Sequence, residues 1–451
     1  MTPAASRSVA DCARCCAIPQ QVDRDDPQIR EEIAFPELDG LVTVVEARDE
    51  GSSSADSTTR LLQCPDCGTC YLFTHYREEG ERWDDPKCHQ ASLRRYTPLA
   101  AIGFLERLAG DPRDALPRPL GQMVKAFVEG SGPPATRVAQ AGRDALVAKA
   151  TRAVAGLRAG YDAVLDDLSR VLRMGAPNGH IQRYAVEARF DESVRRQDWE
   201  GLRRELLGHG DPVVRVTAAG LVIGIGTGDA PVTDLVHVGA GVREFLAAQV
   251  RKASRRGELF DVLLEVAGGE RRAFLRFDHG YGTSRYVEWD VRDIALYYLR
   301  VLGGKGAALA ARLGDLEDIL RREPLLIRSV CEVLRTLAGQ PKNDLTPVVP
   351  TLIVLLRKRH RAYEEVAKAL EEVAARRGYD LVPALPVVAG LFTKGPDARK
   401  GAGWLLKYLA EERGLGPAIL AEFDRRGMRE KPRFVSDPYF QMVLKACGVA
   451  S

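Results

Sequence analysis

The chain holds only two Asn, 13 Lys against 52 Arg, and two cysteines beyond residue 88, and nowhere does it string together 18 apolar residues. Each shortage excludes something. Without a long apolar run, no membrane-spanning helix is expected. The start, MTPAASRSVADCARCC, has no basic segment followed by an apolar one, so the expectation is a soluble, cytoplasmic protein. Nine cysteines, an odd number, without such a leader argue against a disulfide framework. Abundant Arg beside scarce Lys and Asn is the pattern of a GC-rich coding sequence, which weakens any inference from Arg to nucleic acid. The seven histidines are scattered, and no Ser/His/Asp or Cys/His arrangement emerges from spacing. GIGTGD (224–229) lacks the Lys-Ser/Thr that follows the glycines of a phosphate loop, so it is set aside.

What is present describes a folded chain. Hydrophobic residues at 45% and charged residues at 28% are ordinary for a globular protein. A length of 451 residues allows two or three domains, or one small domain followed by a repeat array. The net charge of +3 conceals an asymmetry: residues 1–100 carry 11 Lys and Arg against 18 Asp and Glu, and residues 101–451 carry 54 against 44. The front is acidic and the remainder mildly basic. Seven cysteines lie within the first 88 residues; Cys331 and Cys447 sit alone in apolar helical surroundings and read as core.

LLQCPDCGTC (61–70) poses the sharpest question. An iron–sulfur loop would need a fourth Cys near position 74, which is Thr. A thioredoxin-like pair would need a helix N-terminus after a strand, whereas Gly68 and the strand-like CYLFTHY place this pair in a turn between strands. A metal knuckle finds a partner upstream in Cys12-Ala-Arg-Cys15. Between the two pairs, LVTVVEARD and TTRLLQC read as two strands joined by a Gly/Ser-rich loop. The stretch 10–98 thus resembles a zinc ribbon, with two knuckles facing each other across a small antiparallel sheet. The resemblance implies a structural zinc bound by Cys12, Cys15, Cys64 and Cys67, with rubredoxin-like iron as the minority possibility. Cys16, Cys70, Cys88 and His89 are spare ligands for a second site, against which stands Cys70 turned to the other face of its strand.

Beyond residue 98 the texture becomes helical. Residues 344–378 and 380–414 are each 35 long, align without gaps and share 11 positions, among them the opening Asp-Leu, two prolines and the closing Arg-Gly. A step near 36 with two helices per unit is the signature of an α-solenoid. Pro347 and Pro383 suit first helical turns, and Gly378 and Gly414 suit left-handed helix ends. Val366, Leu370 and Val373 mark one apolar stripe. LRRELLGHGDPVVRVTAAGLVIGIG (202–226) resembles a HEAT repeat, with Asp211, Pro212, Arg215, Ala218, Ala219 and Leu221 in its pattern; the resemblance implies that Asp211 and Arg215 are structural. The expected architecture is mainly α: a zinc-ribbon-like β domain over 1–98, connecting helices and linker over 99–135, and a HEAT-like α-α superhelix over 136–451.

Residues 269–300 interrupt the array with seven aromatics and several Arg, so Arg285, Tyr286 and Trp289 are candidates for partner binding. Trp289, Tyr297 and Tyr298 could equally begin the next helix. Basic runs at 251–256, 357–361 and 425–433 could track phosphates, or could be solvated helix ends. The function expected is a non-enzymatic scaffold for a protein partner. Nucleic-acid binding is the alternative, and a glycosylase-like enzyme using Tyr286, Trp289 and Asp290 is a third reading.

Overall fold

The computed structural model describes residues 7–18, 21–25, 35–50, 55–78, 88–110, 140–175, 179–228, 240–270, 273–279, 285–303, 312–340, 343–358, 361–374 and 378–449. The chain divides into two compact units: Met1–Ala218 with Val232–Leu246 and Ala273–Trp289, and Ala219–Pro231 with Ala247–Arg272 and Asp290–Ser451.

In the first unit, a one-turn 3-10 helix over Val9–Asp11 leads into α1 (Ala13–Ala17). Five strands follow: β1 (Gln21–Asp25), β2 (Val42–Glu50), β3 (Ala55–Gln63), β4 (Cys70–Glu78) and β5 (Cys88–Tyr96). They form one antiparallel sheet in the order β1-β5-β4-β3-β2. The two strands expected between the cysteine pairs are β2 and β3, and the sheet is larger than expected because β1 and β5 join it.

Strand alternation sends Val45, Ala47, Leu61 and Cys70 to one face. That face is covered by α2 (Pro98–Gly110) and by α3 (Gln140–Met174), through Ala101, Phe104, Leu105, Leu108 and Ala150. The core therefore runs on past residue 98. Thr97 starts α2 by accepting the Ala100 N–H, with Pro98 in the first turn, where its missing donor does no harm.

The other face carries Tyr71, paired in register with Arg95, and Phe73, paired with Leu93. α4 (Gly179–Arg195) contacts α1, α2 and α3, and its Tyr184 reaches the Tyr71–Arg95 pair. Next come α5 (Trp199–Leu202), one π-type turn and α6 (Pro212–Thr227). Asp211 caps α6 by accepting the Val213 N–H, and Arg215 donates to the Leu207 carbonyl at the end of the preceding turn. Both residues thus make structural links of the kind expected. α7 (Ala240–Arg251) follows, the division between the units falling within both α6 and α7, and later in the chain β6 (Phe274–His279) and β7 (Arg285–Asp290) form a hairpin.

The second unit is a stack of helix pairs. α8 (Ala253–Gly268) packs on α9 (Val291–Gly303), α10 (Leu313–Arg322) on α11 (Ile327–Ala338), α12 (Val349–Arg357) on α13 (Tyr363–Val373), and α14 (Leu385–Gly390) on α15 (Pro396–Arg413). α16 (Gly416–Arg425), the short α17 (Pro432–Val435) and α18 (Pro438–Ala446) close the chain. Successive pairs meet in two rows: α8-α10-α12-α14-α16 on one side and α9-α11-α13-α15-α18 on the other.

The sequence repeat explains the regularity. Asp344 and Asp380 occupy the same repeat position and accept the N–H groups of Thr346 and Val382. Pro347 and Pro383 then lie in 3-10 turns that open α12 and α14. Gly378 and Gly414 have φ of +76° and +65°. Val366, Leu370 and Val373 are fully buried, as is Cys331, whereas Cys447 is only half-buried.

Candidate metal centre

The second cysteine pair occupies the tight connection between β3 and β4. β3 ends at Gln63, the turn runs Cys64-Pro65-Asp66-Cys67-Gly68-Thr69, and Cys70 opens β4. Gly68 takes φ of +75°, its N–H reaches the Cys64 carbonyl at 2.9 Å, and the Cys64 N–H reaches the Thr69 carbonyl at 2.9 Å. The Gln63 amide locks the turn from the side by donating to the Gly68 carbonyl at 3.1 Å. With the loop closed, the backbone N–H groups of Asp66 and Cys67 are directed at the Cys64 sulfur. This half is the knuckle that the sequence led us to expect.

The first pair differs. Cys12 precedes α1 and Cys15 lies within it, so this half is a turn of helix rather than a second knuckle. The cause is position 16, where a knuckle would have Gly in the left-handed region: Cys16 continues the helix instead, its N–H bonded to the Cys12 carbonyl at 2.9 Å. A spacing of three residues still puts Cys12 and Cys15 on one side of the turn.

The four sulfurs converge. All lie within 4.8 Å of one another, with Cys12 Sγ 3.7 Å from Cys64 Sγ and Cys15 Sγ 3.2 Å from Cys67 Sγ. These separations far exceed a disulfide bond of about 2.05 Å. They approach the edge of about 3.8 Å that a tetrahedron of sulfurs has around an ion with bonds near 2.3 Å. All four residues are buried, none more than 4% exposed. The set could hold one metal ion, and its donor chemistry fits zinc.

Packed so closely, four thiols cannot all ionise without a cation between them. Cys64 is held far below the usual thiol range by hydrogen bonds from Cys15 and Cys67 and from the turn's backbone N–H groups. Cys15 is pushed up to about 12, first by its bond to Cys64, and Cys67 is pushed well up, first by its bond to Cys15. A divalent ion would take the place of the shared protons.

The neighbouring sulfurs are otherwise engaged. Cys16 Sγ faces the Ala10 carbonyl at 3.4 Å. Cys70 packs in the core under α2, where burial raises its thiol to about 12. The side chains of Cys88 and His89 lie outside the described residues, so among those described the four-sulfur group is the one metal-type cluster.

Sequence reasoning missed what surrounds the sulfurs. Arg95 is 1% exposed and lies over the rings of both Tyr71 and Tyr184. A signal existed: Ala91, Leu93 and Arg95 share strand parity, and the first two are plainly inward-facing types.

Among the described residues the other sequence candidates form no second centre. Arg285, Tyr286 and Trp289 fall on β7, and their side chains lie outside the described residues. Asp290 is clasped by Arg292, which holds both of its oxygens and also bonds Glu323 at 2.8 Å. Tyr297 and Tyr298 lie on α9, with Tyr298 buried. In the basic runs, Arg255 pairs with Glu258, Arg425 and Arg426 with Glu422, and Arg429 with Asp424. Among the described helices none is long and apolar enough to cross a membrane. No protein-family model matches the chain, and searches of curated proteins and of solved structures find no match.

Proposed function

We propose that the chain is a non-enzymatic scaffold, in which a HEAT-like solenoid offers a continuous helical face to a protein partner and a structural zinc on Cys12, Cys15, Cys64 and Cys67 steadies the front module. The observation that carries this reading is the double row of helices, where neighbours in sequence are neighbours in space. Stacked pairs of that kind build long surfaces without a catalytic pocket.

Side-chain links repeat at the same step. Ser329 bonds Asp293, Arg328 pairs with Glu365, Lys400 with Glu364, and Arg399 with Asp437. These links run along the second row, joining each helix to the next by polar contacts 36 to 38 residues apart. Lys394 adds a staple on the first row, donating to the Leu356 carbonyl at 3.0 Å at the end of α12. The charged side chains in these links are therefore committed to neighbours, and a polyanion would have to displace them.

The zinc reading draws on a closed set of four buried sulfurs, which leaves no position for a substrate. Nucleic-acid binding keeps one observation in its favour: Arg357, Lys358 and Arg361, at and just beyond the end of α12, are all exposed.

Affinity capture from native cell extract, with and without nuclease and across a salt series, separates the readings. A discrete protein partner that survives nuclease is expected. Recovery of nucleic acid that falls steeply with salt would overturn the scaffold reading.

A further inference from the structure

α1 has five residues, too few to hold a helix on their own. It nevertheless carries Cys15, while Cys64 and Cys67 ride on the sheet. The geometry of the four-sulfur group thus depends on whatever pins α1 to the sheet.

Arg95 makes that link from β5. Its Nη2 donates to the Cys15 carbonyl at 2.6 Å and the Ile18 carbonyl at 2.8 Å, and its Nη1 reaches the His180 carbonyl at 3.4 Å. The first two acceptors are the carbonyl of a sulfur ligand and the carbonyl of the residue that ends α1. Helix ends leave such groups unbonded, and a cation there also complements the helix dipole. The guanidinium carbon lies 5.5 Å from the Tyr71 ring centre and 5.4 Å from that of Tyr184. Both rings are at most 1% exposed, so the guanidinium is held against two buried aromatic faces. Lysine could supply the charge but neither the fork nor the flat stacking surface.

We propose that Arg95 is the positioning residue of the metal centre: it sets the helical half of the sulfur group against the knuckle half, and its buried charge offsets the negative charge of four thiolates around a divalent ion. The proposal rests on the metal reading above. Outer groups that orient metal ligands change affinity by about 10- to 100-fold when removed.

The test uses the full-length chain and zinc, with affinity measured by competition against a chromophoric chelator for the parent, Arg95→Lys and Arg95→Met. Cobalt(II) spectra at saturating metal report whether four sulfurs still bind. The expected result is zinc affinity lower by at least about tenfold in Arg95→Met and by a smaller factor in Arg95→Lys, with the tetrathiolate spectrum kept. If Arg95→Met fails to fold, Arg95→Lys decides alone. Parent-like affinity in whichever variants fold would overturn the proposal and leave the metal reading standing. A parent that takes up neither zinc nor cobalt would sink both.

Discussion

Gly414 closes α15 and Gly378 lies beyond the end of α13 at Val373; both have left-handed backbone, and an added Cβ at either would meet nothing within 4 Å. Gly378→Ala therefore isolates backbone strain from packing. It should cost about 1 kcal/mol, seen as a lower denaturant midpoint at unchanged slope. Glu422 offers a second residue-level test. Arg425 first, and then Arg426, hold its carboxyl below the ordinary range against the opposing effect of burial. A folded value below the unfolded one means that this contribution is present above the usual Glu range near pH 4 and is lost as pH falls through the lowered value. Glu422→Gln should lower stability at neutral pH and flatten its decline between about pH 5 and 3; an unchanged acid limb would show the ion pairs to be idle.

α15 crosses α13 closely at Gly401. A Cβ on Gly401 would lie 3.0 Å from Glu364 Cα and 3.1 Å from the Tyr363 carbonyl oxygen, both backbone atoms that cannot swing aside. Gly401→Ala should destabilise by about 1–2 kcal/mol despite the better helix propensity of Ala. Gly257 in α8 is the control: its Cβ would enter open space, so Gly257→Ala should stabilise by roughly 0.5–1 kcal/mol. Equal effects at the two sites, read from thermal or denaturant unfolding, would contradict the close crossing.

The elements also show what could be read in advance. Proline, Asp and Gly carry local rules, so the openings of α12 and α14, the helix end at Gly414, the left-handed backbone of Gly378 and the knuckle at Cys64–Gly68 were legible. Cys12–Cys15 was less so, because one C-x2-C pattern serves a knuckle or a helical turn and only Cys16 decides. β5 adds to β4 as the next strand in sequence, but β1 joins β5 by non-local pairing, for which QVDRD carries little alternating signal. Arg95 looked like one more Arg among 52, since burial of a guanidinium depends on two tyrosines and three carbonyls distant in sequence.

At the scale of the whole molecule, two kinds of order coexist. The second unit is held by near-neighbour packing at one repeating step, while the first is tied by contacts between residues distant in sequence, among them Val9 N–H to Asp167 at 2.9 Å and Arg95 to the His180 carbonyl. Metal loss should therefore loosen helices beyond the sheet, because α1 joins β5 and α4 through the same few bonds. The most direct measurement is elemental analysis of the purified full-length chain combined with thermal unfolding, for the parent and for a Cys64→Ser, Cys67→Ser variant. The account predicts one zinc per chain in the parent, its loss in the variant and a clearly lower unfolding temperature. Metal content and unfolding that are the same in both proteins would contradict it.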